Sequence, residues 1–147
     1  MDVPDTIERA LRLPHPPERV WRALTEPEEV SGWFGEATQV LELRPGGHMV
    51  VDFGEYGVAD LVITEVDAPR LLVWAWRSFP GWEGVPVLDG PHTVITWTLE
   101  PAGGGTTLTM VESGFAALPE ELAAAQHKDN TGGWDQGLDD LRGYLAA

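Results

Sequence analysis

The sequence predicts an α+β domain in which one long C-terminal helix covers a curved, seven-stranded antiparallel sheet. Three observations carry this expectation. Six segments between Gln39 and Phe115 read as strands separated by turn signals, one alternating segment precedes them near the N-terminus, and Trp134, Leu138, Leu141 and Leu145 fall at helical spacing near the end. Parallel crossovers need about a dozen residues. Breaks such as "RPGG", "GEYG", "DAP" and "PAGGG" are too short for that, so neighbouring strands should run antiparallel.

Taken in order, "DTIERALRLP" sets Ile7, Arg9 and Leu11 against Glu8, Ala10 and Arg12, an edge strand ended by Pro14. "PPERVWRAL" opens with prolines, which a first helical turn tolerates, and places Val20, Trp21 and Leu24 on one face. "TEPEEVSGWFG" starts a second short helix with Thr25 and Glu28 in capping-box spacing; Val30, Trp33 and Phe34 form its apolar face before Gly35 stops it. The six strands are then "TQVLEL", "GHMVVDF", "VADLVITEV", "RLLVWAWRSF", "HTVITWTLE" and "TTLTMVESGF". After Pro119, "EELAAAQH" reads as a helix-compatible linker. "NTGGWDQGLDDLRGYL" reads as the terminal helix, capped by Asn130 or Thr131, with Asp135 near its positive end and Arg142 near its negative end. Gly132 and Gly133 cost about 1 kcal/mol each relative to Ala, which a close approach to the sheet or to a ligand would explain.

Composition narrows the function classes. A chain of 147 residues without repeat or linker is expected to be one domain, 1–147, with a core of its own. No stretch near the start resembles a signal peptide, no segment is long and apolar enough for a membrane span, and cysteine is absent, so a cytoplasmic address is expected. The formal charge of −15, from 24 acids against 9 bases with no basic run, disfavours nucleic acid and anionic membranes as partners. The seven tryptophans imply a large aromatic core or an aromatic-lined pocket.

Several constellations fail on spacing. "GGWDQG" fits neither a dinucleotide fingerprint nor a P-loop, and the aspartates beside it would repel an anion. His15, His48, His92 and His127 are too scattered for a paired metal motif, so no metal and no cofactor are expected. There is no nucleophile elbow, and Ser31 and Ser113 lack an evident base. What remains is Glu112, which alternation places on one face with Leu108 and Met110; it reads either as a general acid or base in an apolar surround or as a structural partner to an Arg or a backbone N–H. Leu72, Trp74 and Trp76 share one face of their strand, and Ile95, Trp97 and Leu99 one face of the next, with Arg77 pointing away. Phe53, Phe79 and Trp82 are placed to flank an entrance, with Trp82 in the Gly- and Pro-rich "FPGWEGVPVLDGP" loop.

Four segments in series, "PPERVWRALTEPEEVSGWFG", "EVDAPRLLVWAW", "TVITWTLEPAGGGTTLTMVESGF" and "GGWDQGLDDLRGYL", resemble the bacterial relatives of the activator of heat-shock-protein-90 ATPase, within the START-like helix-grip superfamily. That resemblance implies a helix-grip fold around a cavity for an apolar small molecule, but no single activity, because carriers, receptors, cyclases and chaperone partners share the scaffold. The eukaryotic activators have a further N-terminal domain that engages the chaperone, which 147 residues are not expected to accommodate.

Three functions are therefore expected to compete. The first is binding of a hydrophobic or aromatic small molecule by Trp33, Phe34, Phe53, Trp74, Trp76, Trp97, Met110, Trp134 and Leu138. The second is a cyclase- or isomerase-like enzyme using Glu112, and the third a module that engages a chaperone or regulator. Exposed strands leave a homodimer open. Trp134 stands as either a core anchor or a ligand contact.

Overall fold

The computed structural model describes residues 3–147. In chain order it contains β1 (Thr6–Leu13), α1 (Pro17–Thr25), α2 (Pro27–Val30), β2 (Ala37–Leu41), β3 (His48–Asp52), β4 (Val58–Asp67), β5 (Leu71–Trp76), β6 (Thr93–Ala102), β7 (Gly105–Ser113) and α3 (Glu120–Ala146), with three short 3-10 turns between them. The strands form one seven-stranded sheet of order β1-β7-β6-β5-β4-β3-β2, and every neighbouring pair is antiparallel. The chain starts on one edge, crosses through α1 and α2 to the other, and meanders back. The seven-stranded α+β architecture is thus the one expected.

Curvature comes from two register shifts, between Thr38 and Val40 in β2 and between Ile63 and Glu65 in β4. Such bulges bend and twist the strand that carries them. The concave face collects the apolar alternates: Leu61, Ile63, Leu72, Trp74, Trp76, Ile95, Trp97, Leu99, Leu108 and Met110 are all buried. Helix α1 lies against β6 and β7 and touches α3, burying Val20, Trp21 and Leu24 as its 3.6-residue period requires. After α2, the chain turns at Gly35 (φ +73°) so close to β3 that a Cβ there would meet Val51 Cγ1 at 2.6 Å. Both the left-handed conformation and the contact call for glycine.

Two local expectations are corrected. Thr25 does not cap α2: its hydroxyl donates back to the Trp21 carbonyl at 2.7 Å, and Glu26 occupies the N-cap without a side-chain bond. Nor is there a linker before the terminal helix. Helix α3 runs unbroken through 27 residues, so Asn130 and Thr131 are interior positions and not caps. Its buried stripe extends back through Asn130 to Ala123. Asp135, well inside the helix, pairs with Arg9 of β1 at 2.8 Å, tying α3 to the edge strand.

The glycines of α3 also differ from expectation. A Cβ on Gly132 or Gly133 would meet nothing within 4 Å, so no close approach explains them. The helix continues through them because packing of an amphipathic face outweighs local propensity. The close approach is elsewhere: Gly32, just after α2, faces the Tyr144 ring, and a Cβ there would fall 2.4 Å from it. Tyr144 also donates its hydroxyl to Glu29 at 3.0 Å, and Arg19 of α1 bonds the same carboxylate oxygen. The last turn of α3 is thereby fastened to α1 and α2.

These contacts predict opposite outcomes for two kinds of Gly→Ala exchange, read by urea denaturation. Gly132→Ala and Gly133→Ala should each stabilise the protein by about 0.5–1 kcal/mol. Gly32→Ala should destabilise it by about 1–3 kcal/mol, because the displaced ring sits in a packed junction.

Candidate functional site

The apolar interior between the sheet and α3 is built mainly from rings. Trp74 and Trp76 project from β5, Trp97 from β6 and Trp134 from α3; Trp33 and Phe34 follow α2, and Phe53 follows β3. Alternation within β5 and β6 puts their tryptophans on the concave face, and the register sets Leu72 opposite Trp97 and Trp74 opposite Ile95. The rings meet one another. Phe34 stacks on Trp134 with centroids 5.7 Å apart and planes 6° from parallel. Phe53 meets Phe34 edge-on at 5.2 Å, and Trp97 stands edge-on to Trp134 at 5.6 Å and to Trp33 at 6.1 Å.

All nine residues expected to contact a ligand therefore converge. Trp33, Phe34, Trp74, Trp76, Trp97, Met110, Trp134 and Leu138 are buried in one cluster, with Phe53 half-buried against it. The ring cluster lies between the sheet and α3, the region where the resemblance implies a cavity. Two surface depressions, one around Arg9, Asp135 and Arg142 and one around Arg12 and Gly103–Gly105, are open to solvent. Trp134 is buried in this cluster and also makes a polar contact.

That contact is with Glu112, which is 0% exposed. A carboxylate so placed requires donors in place of water. Its Oε1 accepts from Trp134 Nε1 at 2.7 Å and from Asn130 Nδ2 at 3.2 Å. Its Oε2 accepts from Trp76 Nε1 at 2.9 Å, Thr93 Oγ1 at 2.5 Å and Asn130 Nδ2 at 3.1 Å. Every donor is neutral. Indole and amide N–H groups can only donate, so they match a group whose two oxygens accept. The partners of Glu112 are side-chain indoles, a hydroxyl and an amide, not the arginine or backbone N–H expected of a structural role.

The network reaches one step further. Ser78, just after β5, accepts from Gln126 Nε2 and Asn130 Nδ2, each at 3.1 Å, so α3 holds the start of the long β5–β6 loop. On the other side of that start, Arg77 gathers the loop. Its guanidinium donates to the carbonyls of Pro91, Trp82, Val85, Pro86 and Val87 at 2.8–3.3 Å and lies over the Trp82 ring. Arg77 does point away from the interior, as alternation requires, and its role is to shape the loop. Of the residues placed at an entrance, Phe79 is buried in the core, while Phe53 and Trp82 are half-buried against it.

Asn130, Thr93 and Ser78 were not evident from sequence spacing. Asn130 has the one available signal, a polar residue four positions before Trp134 on the buried stripe. It becomes visible only when α3 is continued back to Ala123.

Three indole N–H groups inside the protein have partners: Trp76 and Trp134 donate to Glu112, and Trp33 donates to the Ala23 carbonyl at 2.8 Å. Trp74 and Trp97 do not. Both indole nitrogens are buried without an acceptor, a deficit of about 1–3 kcal/mol for each group.

Comparison with known proteins accords with this architecture. DynU16, from the dynemicin biosynthetic locus, is 28% identical over 98% of this chain, with a TM-score of 0.76. The match covers 48% of DynU16, so the chain spans about half of that protein's length. MLL2253 of Mesorhizobium loti is 25% identical over 96% of each chain, with a TM-score of 0.77. The solution structure of the Aha1 dimer of Colwellia psychrerythraea shares the fold, at 18% identity over 95% of each chain and a TM-score of 0.74. No curated protein matches. The sequence pattern of the Activator of Hsp90 ATPase homolog 1-like protein family matches residues 14–146. With nearly the whole chain matched and the seven strands and long terminal helix in place, the chain belongs to the family of Activator of Hsp90 ATPase homolog 1-like proteins.

Proposed function

We propose that the protein binds an apolar or aromatic small molecule between the sheet and α3, among the rings gathered there. The observation that carries this reading is the engagement of Glu112. Its oxygens are already taken by Trp76, Thr93, Asn130 and Trp134, so the ionisable group of the interior is committed to holding the helix on the sheet. A general base needs a free oxygen within reach of a substrate proton, which favours binding over cyclase or isomerase chemistry. The aromatic lining supplies broad contact area at low entropy cost. The half-buried Phe53, which meets Phe34 edge-on, is a natural point of entry.

A cytoplasmic address fits the lack of cysteine and the acidic composition. No helix of the described residues is long and apolar enough to cross a membrane. The net charge of −15 argues against nucleic acid as a partner. Edge strands β1 and β2 are available for pairing with a second copy.

Binding is tested with N-phenyl-1-naphthylamine, an uncharged apolar dye that brightens when desolvated. The expected result is saturable brightening with one dye per chain and energy transfer from tryptophan. A linear, unsaturated response would contradict the proposal.

The role of Glu112 is tested separately by Glu112→Gln, which replaces one acceptor oxygen by an amide that faces other donors. It should lower unfolding stability by about 2–4 kcal/mol. An unchanged denaturation midpoint would contradict the structural role and revive the catalytic one.

A further inference from the structure

The two edges of the sheet, β1 and β2, are not equivalent. β2 is short, its register shifts between Thr38 and Val40, and its Thr38 N–H is taken by Ser31 Oγ at 2.9 Å. β1 runs for eight residues against β7 without a shift. Asp5 O accepts from the N–H groups of Gly114 and Phe115 beyond the end of β7, whereas Thr6 O and Glu8 O accept from the side chains of His127 and Arg9 at 3.1 and 2.9 Å. Backbone groups alternate in direction along a strand, so Thr6, Glu8, Ala10 and Arg12 turn their N–H and C=O away from β7. Among the described residues no hydrogen bond reaches those of Ala10 and Arg12. The depression between β1 and α3 leaves Ala10 and Leu11 open to solvent. An open edge of this kind is a template for another strand.

The side chains along that edge are complementary to themselves. Glu8, Ala10 and Arg12 are exposed on the convex face, and neither Glu8 nor Arg12 has an ion-pair partner among the described residues. When the strand meets a second copy antiparallel about a two-fold axis at Ala10, Ala10 faces Ala10, and Glu8 of each copy faces Arg12 of the other. These are outward-bonding positions, so each facing pair exchanges both backbone bonds. Other axes lose the match. An axis at Arg9 opposes two arginines, and one at Glu8 or Arg12 opposes like charges in the same way. An axis at Leu11 sets Glu8 against Pro14, which has no N–H to give. With the axis at Ala10, Pro14 instead faces Thr6, whose carbonyl His127 already satisfies, so the ladder ends where a donor is missing.

Charge also selects the place. A chain of net charge −15 meeting its own copy brings acids together over most of its surface, but "ERALR", residues 8–12, holds one acid and two arginines. We propose that two copies of the chain join through β1 in the register centred on Ala10, making one continuous sheet. The pairing is independent of the ligand-binding function proposed above, and failure of either leaves the other standing.

Sedimentation equilibrium on the full chain tests the register. The wild type is expected to form dimers at concentrations below about 1 mM. Glu8→Arg and Arg12→Glu should each weaken the dimer at least about tenfold, because either sets like charges opposite one another twice. An equimolar mixture of the two variants should restore it, since one then presents only positive and the other only negative charge at these positions. The two exchanges move the net charge in opposite directions, so a non-specific charge effect would weaken one and strengthen the other. Ala10→Pro removes the central outward N–H while sparing the β7 side, and should abolish the dimer. Hydrogen exchange on the wild type needs no substitution: the Ala10 and Arg12 amides should slow as concentration rises. A wild type that stays monomeric up to about 1 mM would overturn the proposal. So would a dimer indifferent to either reversal, a mixture no tighter than its components, or amide rates that do not change with concentration.

Discussion

A carboxylate cannot be removed from water unless other donors take water's place, and that constraint at Glu112 organises the structure. Trp76 comes from the end of β5, Thr93 from the start of β6, and Asn130 and Trp134 from successive turns of α3. These groups meet only if β5, β6 and β7 hold their register and α3 adopts one rotation over the sheet. The apolar stripe alone would tolerate some sliding of the helix. A buried carboxyl group leaves far less latitude, because a lost donor leaves one of its oxygens unpaired away from water.

The same geometry divides the aromatic set. Trp76 and Trp134 combine ring packing with donation to Glu112, and Trp33 is fixed by the Ala23 carbonyl. Trp74 and Trp97 have only their ring contacts. The interior thus has a part whose polar groups are satisfied and a part whose donors are free. The long β5–β6 loop joins the first through Ser78, while Arg77 collects its carbonyls on the opposite side. The loop is therefore shaped at its root, despite its glycines and prolines.

Much of this was legible because period-two alternation is a strong signal. It placed Leu72, Trp74 and Trp76, Ile95, Trp97 and Leu99, and Met110 with Glu112, on the concave face where they lie. The strand count followed from the same pattern and the turn signals between strands, whereas the family resemblance rested on four particular segments in series. The polar network was not legible, since Ser78, Thr93 and Asn130 come from three elements and meet only in space. The Gly132–Gly133 pair misled about α3, suggesting a helix start where tertiary packing carries the helix through. Asn130 consequently read as a cap, when its amide is part of the Glu112 network. Thr25 failed for a related reason: its hydroxyl found the Trp21 carbonyl, a competing local acceptor that sequence spacing does not weigh.

The central claim is that Glu112 and the indole of Trp134 act as one unit joining helix and sheet. A double-mutant cycle in unfolding free energy between Glu112→Leu, which has no acceptor, and Trp134→Phe measures that coupling directly. The structure predicts a non-additive term of about 1–3 kcal/mol, since either change removes the same bond. Additivity within about 0.5 kcal/mol would contradict it.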